Sequence, residues 1–285
     1  MTRPERRYRW SDAERVWDES GWAERRVLSL LSLLPLAPTR ALEPFGLVGS
    51  AGGADTLYRA LRDLLRRGLI DSVERATWPG RAPRLHYLTD LGVAACSVGR
   101  GVDAASGAAS LARRHGLGRK ALLSRLPSLR PLLAAYDLLA DLAWDAGGGA
   151  ELVDWECPWR RRVLLPRARS KAYVSLPALA TLGRPGGGKM SYCLLPDLGS
   201  VPILAYATAL SRLTALQSQA HTIPTLVVGA PHEGRARAWR KLILALADSR
   251  RETCLASAVL TWDELQAAAE RERREIGGSA SALGT

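Results

Sequence analysis

A chain of 285 residues with 47% apolar side chains exceeds the usual size of one domain and can bury two cores, so two domains are expected. Its 40 basic residues outnumber 28 acidic ones for a net charge of +12, and the excess runs along the chain, which favours a polyanionic partner over an acidic small substrate. The four cysteines, Cys96, Cys157, Cys193 and Cys254, form no CxxC pair, and no apolar run reaches the roughly 18–20 residues of a membrane span; a zinc ribbon, a disulfide framework and a membrane partner are therefore excluded, and a cytoplasmic location is expected.

In chain order, residues 1–22 read as a basic arm in which Met1–Trp10 interleaves arginines with Tyr8 and Trp10, a composition suited to a minor groove. Ala23–Leu34 has the period of a helix through Val27, Leu30, Leu31 and Leu34, and Ala37–Leu47 reads as a short second helix entered after Pro35 and Pro38. Ala54–Ile70 is the most strongly patterned stretch. Leu57, Leu61, Leu64 and Leu65 share one face, while Arg59, Arg62 and Arg66 gather on the other with Asp55 and Asp63 at its edges. Gly68 is placed for a left-handed cap. Two alternating runs follow, Leu69–Glu74 and Arg84–Thr89, around a tip at residues 77–81.

Helix, turn, helix and two-stranded wing make residues 23–98 a winged helix-turn-helix, whose second helix enters the major groove while the wing lies along the backbone. The residues offered to double-stranded DNA are Thr56, Arg59, Arg62 and Arg66 from the helix, and Arg75, Trp78, Arg81 and Arg84 from the wing. A helix with three arginines on one face also reads as a plain solvated face, and similar units serve as protein-docking modules. Asp90–Val98 closes this domain as a short helix. Residues 99–118, rich in Gly, Ala and Ser, read as a linker.

Residues 119–276 read as a mixed-sheet α/β domain. Helical periodicity over Gly118–Ala146 gives way to strands at Glu151–Glu156, Arg162–Leu165, Ala172–Leu176 and Met190–Leu195. A helix at Val201–Gln219, a strand at Thr222–Gly229, a helix at Gly234–Asp248, a strand at Leu255–Thr261 and a helix at Trp262–Arg274 complete it. Residues 277–285 read as a disordered tail. The Gly186–Lys189 stretch lacks the spacing of a phosphate loop and reads as a hairpin turn. Asp154 with Glu156, and Asp137 with Asp141, are carboxylate pairs at strand and helix spacing that read as surface features; the four histidines have no metal-ligand spacing.

The stretches GLI and HYLTDLG in the first half, with YVSLPALATL, SYCLLPDLGS and TIPTLVVGAPHEGRARAW in the second, resemble the replication-relaxation family of bacterial plasmids and mobile elements. That resemblance implies a winged helix followed by a domain of restriction-endonuclease-like fold. The family's second domain carries Pro-Asp-Ala and Leu-Glu-x-Asp-x-Gly-Thr stretches. Here Ala178 and Leu195 stand at two of those carboxylate positions, Asp197 and Gly199 match, and Ser200 replaces threonine. A metal-dependent phosphodiesterase needs two or more converging carboxylates, so Ala178, Leu195 and Asp197 make a vestigial site. The expectation is a non-catalytic, sequence-specific duplex-binding protein of a mobile element or its host, without cofactor or metal. A homodimer and the protein partners of a nucleoprotein complex are further candidate partners. The rival expectations are an active metal-dependent nuclease or relaxation factor, and a protein-docking adaptor.

Overall fold

The computed structural model describes residues 10–45, 53–74, 84–101, 104–146, 150–165, 170–184, 187–217, 224–248, 256–268 and 270–271. The fold is mixed α/β, and the chain divides into two compact units, Met1–Ser128 and Leu129–Thr285.

The first unit opens with helices α1 (Trp10–Asp18) and α2 (Trp22–Leu33), so the expected arm 1–22 holds a helix from Trp10 onward; residues 1–9 lie outside the described residues. Strand β1 (Ala37–Pro38) follows, then α3 (Thr39–Leu42) and a 3-10 turn at Glu43–Phe45. The single helix expected over Ala37–Leu47 is thus corrected to a strand and two short turns. Pro38 has no N–H and its φ of −71° suits an edge strand, and Ala37 and Pro38 pair with residues 85–86 of the central strand of the sheet. Helix α4 (Gly53–Arg66) leads to β2 (Ile70–Val73) and β3 (Leu85–Leu88), which pair antiparallel; the sheet has the order β1-β3-β2, three strands where two were expected.

The core beneath α4 is built as its period requires. Leu57, Leu61 and Leu64 are buried with Val27, Leu28 and Leu31 of α2, and Leu65 is half-buried. Gly68 takes φ 71°, the left-handed conformation that lets the chain turn from α4 into β2. Helix α5 (Asp90–Gly99) is capped by Thr89, whose hydroxyl accepts from the Gly92 N–H at 3.2 Å and donates to the Gly68 carbonyl at 2.8 Å. Residues 99–118, expected as a linker, carry α6 (Ala104–His115), which packs on α5. Helix α7 (Arg119–Arg125) also belongs to this unit, so the boundary falls after Ser128. The correction has a simple cause: small residues are what close helix packing needs, and they read as a connector in a sequence.

In the second unit, α8 (Leu129–Asp145) precedes β4 (Glu151–Glu156), the pair β5 (Trp159–Leu165) and β6 (Ser170–Leu176), then β7 (Ala178–Gly183) and β8 (Lys189–Pro196). After a 3-10 turn at Ile203–Tyr206 come α9 (Ala207–Gln217), β9 (Thr225–Ala230), α10 (Glu233–Asp248) and β10 (Ser257–Thr261), with residues 262–268 helical beyond it. One mixed sheet has the order β10-β9-β8-β7-β4, parallel at β8/β9 and β9/β10 and antiparallel at β4/β7 and β7/β8; β5 and β6 form a separate two-stranded sheet.

Side chains alternate across β8. Cys193 and Leu195 point into a cluster with Leu210 and Leu213 of α9 and Trp239 and Ile243 of α10, whereas α8 packs on β8 and β7 from the other face. The expected glycine turn is present: Arg184 N–H bonds the Gly188 carbonyl and Gly187 N–H bonds the Arg184 carbonyl, joining β7 to β8. The tail 277–285 lies outside the described residues.

Candidate nucleic-acid interface

Helix α4 presents its polar side as the sequence period requires: Arg59, Arg62 and Arg66 are all exposed, and so is Tyr58, at 57%. The neighbouring Arg67 does the opposite. It turns inward, bonding Glu24 at 3.0 Å and the Val16 carbonyl at 2.9 Å, and so ties the end of α4 to the α1–α2 junction. Arg66 pairs with Asp63 at 3.3 Å, one turn back on its own helix. Among the described residues Arg59 and Arg62 have no carboxylate partner, so their charge is available to an anion.

Between α4 and the sheet runs an open groove of about 890 Å³. Tyr58, Arg59 and Arg62 line it from α4 with Asp55; Glu74, just past β2, and Arg84, just before β3, line it from the sheet, together with Thr39 and His86. Arg84 is paired with Glu74 at 2.9 Å, both more than half exposed. Such surface pairs contribute little net energy, about 0–1 kcal/mol, so a phosphate can exchange for Glu74 at small cost.

His86 is buried at 3% exposure, and its Nε2 is 3.1 Å from the Thr39 hydroxyl, which joins β3 to the start of α3. Burial, helped by the charge of Arg84, pushes its pKa down to about 4, so the ring is neutral near pH 7. It lines the groove without adding charge.

Of the residues expected to meet DNA, Arg59, Arg62 and Arg84 are brought together around this groove, and Arg66 continues the same helix face. Thr56 is half-buried on α4 and does not line it. Arg75, Trp78 and Arg81 lie outside the described residues. Tyr58, Thr39 and His86 were missed. Tyr58 was open to detection, because it stands four residues before Arg62 on the same face; Thr39 and His86 meet only through the pairing of β1 with β3.

The second unit places Ala178, Leu195 and Asp197 differently. Ala178 is buried opposite Leu194 at the start of β7, and Leu195 is buried in the apolar cluster beneath α9 and α10. Asp197, just past β8, is fully buried but not solitary. Its carboxylate accepts two bonds from the Arg235 guanidinium, one from Trp239 Nε1 at 2.6 Å and one from the Gly199 N–H at 2.9 Å. Its own N–H bonds the Gly229 carbonyl at 2.8 Å, which fixes the end of β8 to β9.

Burial alone would raise the Asp197 pKa, but the bonds from Arg235, Trp239 and Gly199 outweigh it and hold the carboxyl below its ordinary range. The oxygens that a metal would need are committed to α10. Among the described residues no group of three or more His, Cys, Asp or Glu side chains is placed to hold an ion. Of the other carboxylate pairs, Glu156 is bound by Arg161 through two bonds of 2.8 Å, while Asp141 is buried at 2% exposure against expectation.

Cys96 and Cys193 are buried, and burial raises the pKa of each to about 12, so both are inert thiols. No helix among the described residues is long and apolar enough to cross a membrane. The chain matches no family model, no curated protein and no solved structure.

Proposed function

We propose that this protein binds double-stranded DNA in a sequence-specific manner through its first unit, which acts as a winged helix with α4 in the major groove. The observation that carries the reading is the exposed Arg59–Arg62 pair on a helix whose opposite face is buried, set beside a sheet of order β1-β3-β2. Arginine offers the planar donor fork that guanine O6 and N7 or a phosphate accept together. Arg84 adds a backbone contact from the wing once it leaves Glu74.

The second unit, in this reading, has a nuclease-like fold used for backbone or protein contacts without cleavage. Its helix–strand order on a mixed sheet supports the fold as the replication-relaxation resemblance implies it. The commitment of Asp197 to Arg235 and Trp239, with Ala178 and Leu195 in apolar packing, supports the absence of nuclease chemistry.

Selection from a pool of randomised duplexes tests the specificity directly. Wild-type protein is expected to enrich a defined motif, and Arg59→Ala/Arg62→Ala to enrich none. Equal retention of all sequences by the wild type would overturn sequence-specific reading.

A further inference from the structure

The separate β5–β6 pair has two contrasting faces. Its inner face, Trp159, Val163, Val174 and Leu176, is buried against α9 and the main sheet. Its outer face is set by the register, in which Arg160 lies opposite Ser175 and Arg162 opposite Tyr173. All four are exposed. The Arg160 guanidinium lies over the Tyr173 ring, 4.4 Å from its centroid, a cation–π contact that sets the two side chains together on this face. The strand beneath is braced: Arg212 of α9 donates to the Tyr173 carbonyl at 2.8 Å.

The charges on this face are unequal. Arg161, pointing the other way, is neutralised by Glu156. Arg160 and Arg162 have no carboxylate partner among the described residues. An aromatic–guanidinium surface flanked by unneutralised arginine is the chemistry that recognises a base with its adjoining phosphate. In a duplex the base faces are covered by their neighbours, so a stacking surface is used only where bases are unpaired.

We propose that the outer face of the β5–β6 hairpin binds a single nucleic-acid strand, with the Arg160–Tyr173 stack taking an unpaired base and Arg162 a flanking phosphate. This goes beyond duplex reading by the first unit and does not depend on it. A protein carrying both surfaces would hold duplex at one unit and unpaired strand at the other.

The experiment measures binding of the full chain to a fluorescein-labelled oligo-dT strand by anisotropy at fixed salt. The wild type is expected to bind, with Tyr173→Ala and Arg160→Gln/Arg162→Gln each weakening binding on the order of tenfold and Tyr173→Phe retaining it. Arg59→Ala/Arg62→Ala is expected to leave oligo-dT binding intact, so failure of the duplex reading is separable from failure here. Thermal melting of each variant shows that these exposed substitutions leave the fold in place; a Tyr173→Ala protein that melts early is replaced in the comparison by the arginine pair. Absence of oligo-dT binding by the wild type, or affinity unchanged in both hairpin variants, overturns the proposal. Loss of duplex binding in the Tyr173→Ala and Arg160→Gln/Arg162→Gln proteins with their oligo-dT binding intact overturns the assignment to single strands.

Discussion

Asp197 shows how one residue's surroundings decide what it can do. A carboxylate at the end of a strand in a mixed α/β sheet is a natural candidate metal ligand, yet this one is buried and accepts bonds from Arg235, Trp239 and Gly199. Removing the charge while keeping the shape, as in Asp197→Asn, leaves a guanidinium that is only 16% exposed without its partner. Loss of one member of a buried pair costs about 3–5 kcal/mol, so urea unfolding of Asp197→Asn is expected to show a midpoint well below wild type. Because the folded carboxyl titrates below its ordinary value of 3.8, its stabilisation is present above that pH and is lost as pH falls further.

His86 acts in a higher window. Its folded pKa of about 4 lies below the ordinary 6.5, so between those values the unfolded chain takes up a proton that the folded one refuses. Stability is whole above pH 6.5 and declines as pH falls towards 4, by on the order of 3 kcal/mol. Unfolding free energies at a series of pH values are expected to show this decline in wild type and a flatter profile in His86→Asn. Equal slopes would show that another group titrates there.

At the level of elements, the junction of α4, β2 and α5 rests on two glycines. Gly68 turns the chain at φ 71°, and a Cβ on Gly92 would sit 2.0 Å from the Leu69 carbonyl oxygen. Backbone cannot yield as a side-chain tip can, so Gly92→Ala is expected to cost at least the upper end of the ~1–3 kcal/mol seen for overpacking, read as a fall in melting temperature. Thr89 and Gly92 stand together in the LTDLG stretch for this reason: one caps α5 and the other admits Leu69.

Helix α4 was legible because its leucines and arginines alternate at 3.6-residue spacing, and β8 because MSYCLL is bounded by glycines and a proline. Strand β7 was not seen. Its sequence ALATLG has alanine and glycine at half its positions and only Thr181 among β-branched residues, although its burial alternates at period two. Strand β1 is two residues long and exists through its pairing with β3, which no local pattern announces. The same limit applies to the site: Arg59, Arg62 and Arg84 could be named in advance, but Thr39 and His86 reach the groove through tertiary pairing. The partners of Asp197 come from α10, 38 and 42 residues further on.

For the molecule as a whole, the proposed division of labour is duplex reading by the first unit and non-catalytic contact by the second. Incubation with supercoiled and linear DNA in Mg²⁺ or Mn²⁺ is expected to give no nicking or cleavage. Cleavage that disappears in Asp197→Ala would instead promote the metal-dependent nuclease.

The central claim, that α4 contacts duplex DNA through Arg59 and Arg62, is tested most directly by fluorescence anisotropy of a labelled duplex carrying the selected motif, titrated with wild type, Arg59→Ala and Arg62→Ala across a range of salt. Loss of a base-reading arginine is expected to cost about 1–3 kcal/mol and relax specificity at one position, whereas loss of a phosphate contact lowers affinity for all sequences and reduces the salt slope by about 1. Affinity and salt slope unchanged in both variants would remove α4 from the interface and overturn the proposed duplex binding.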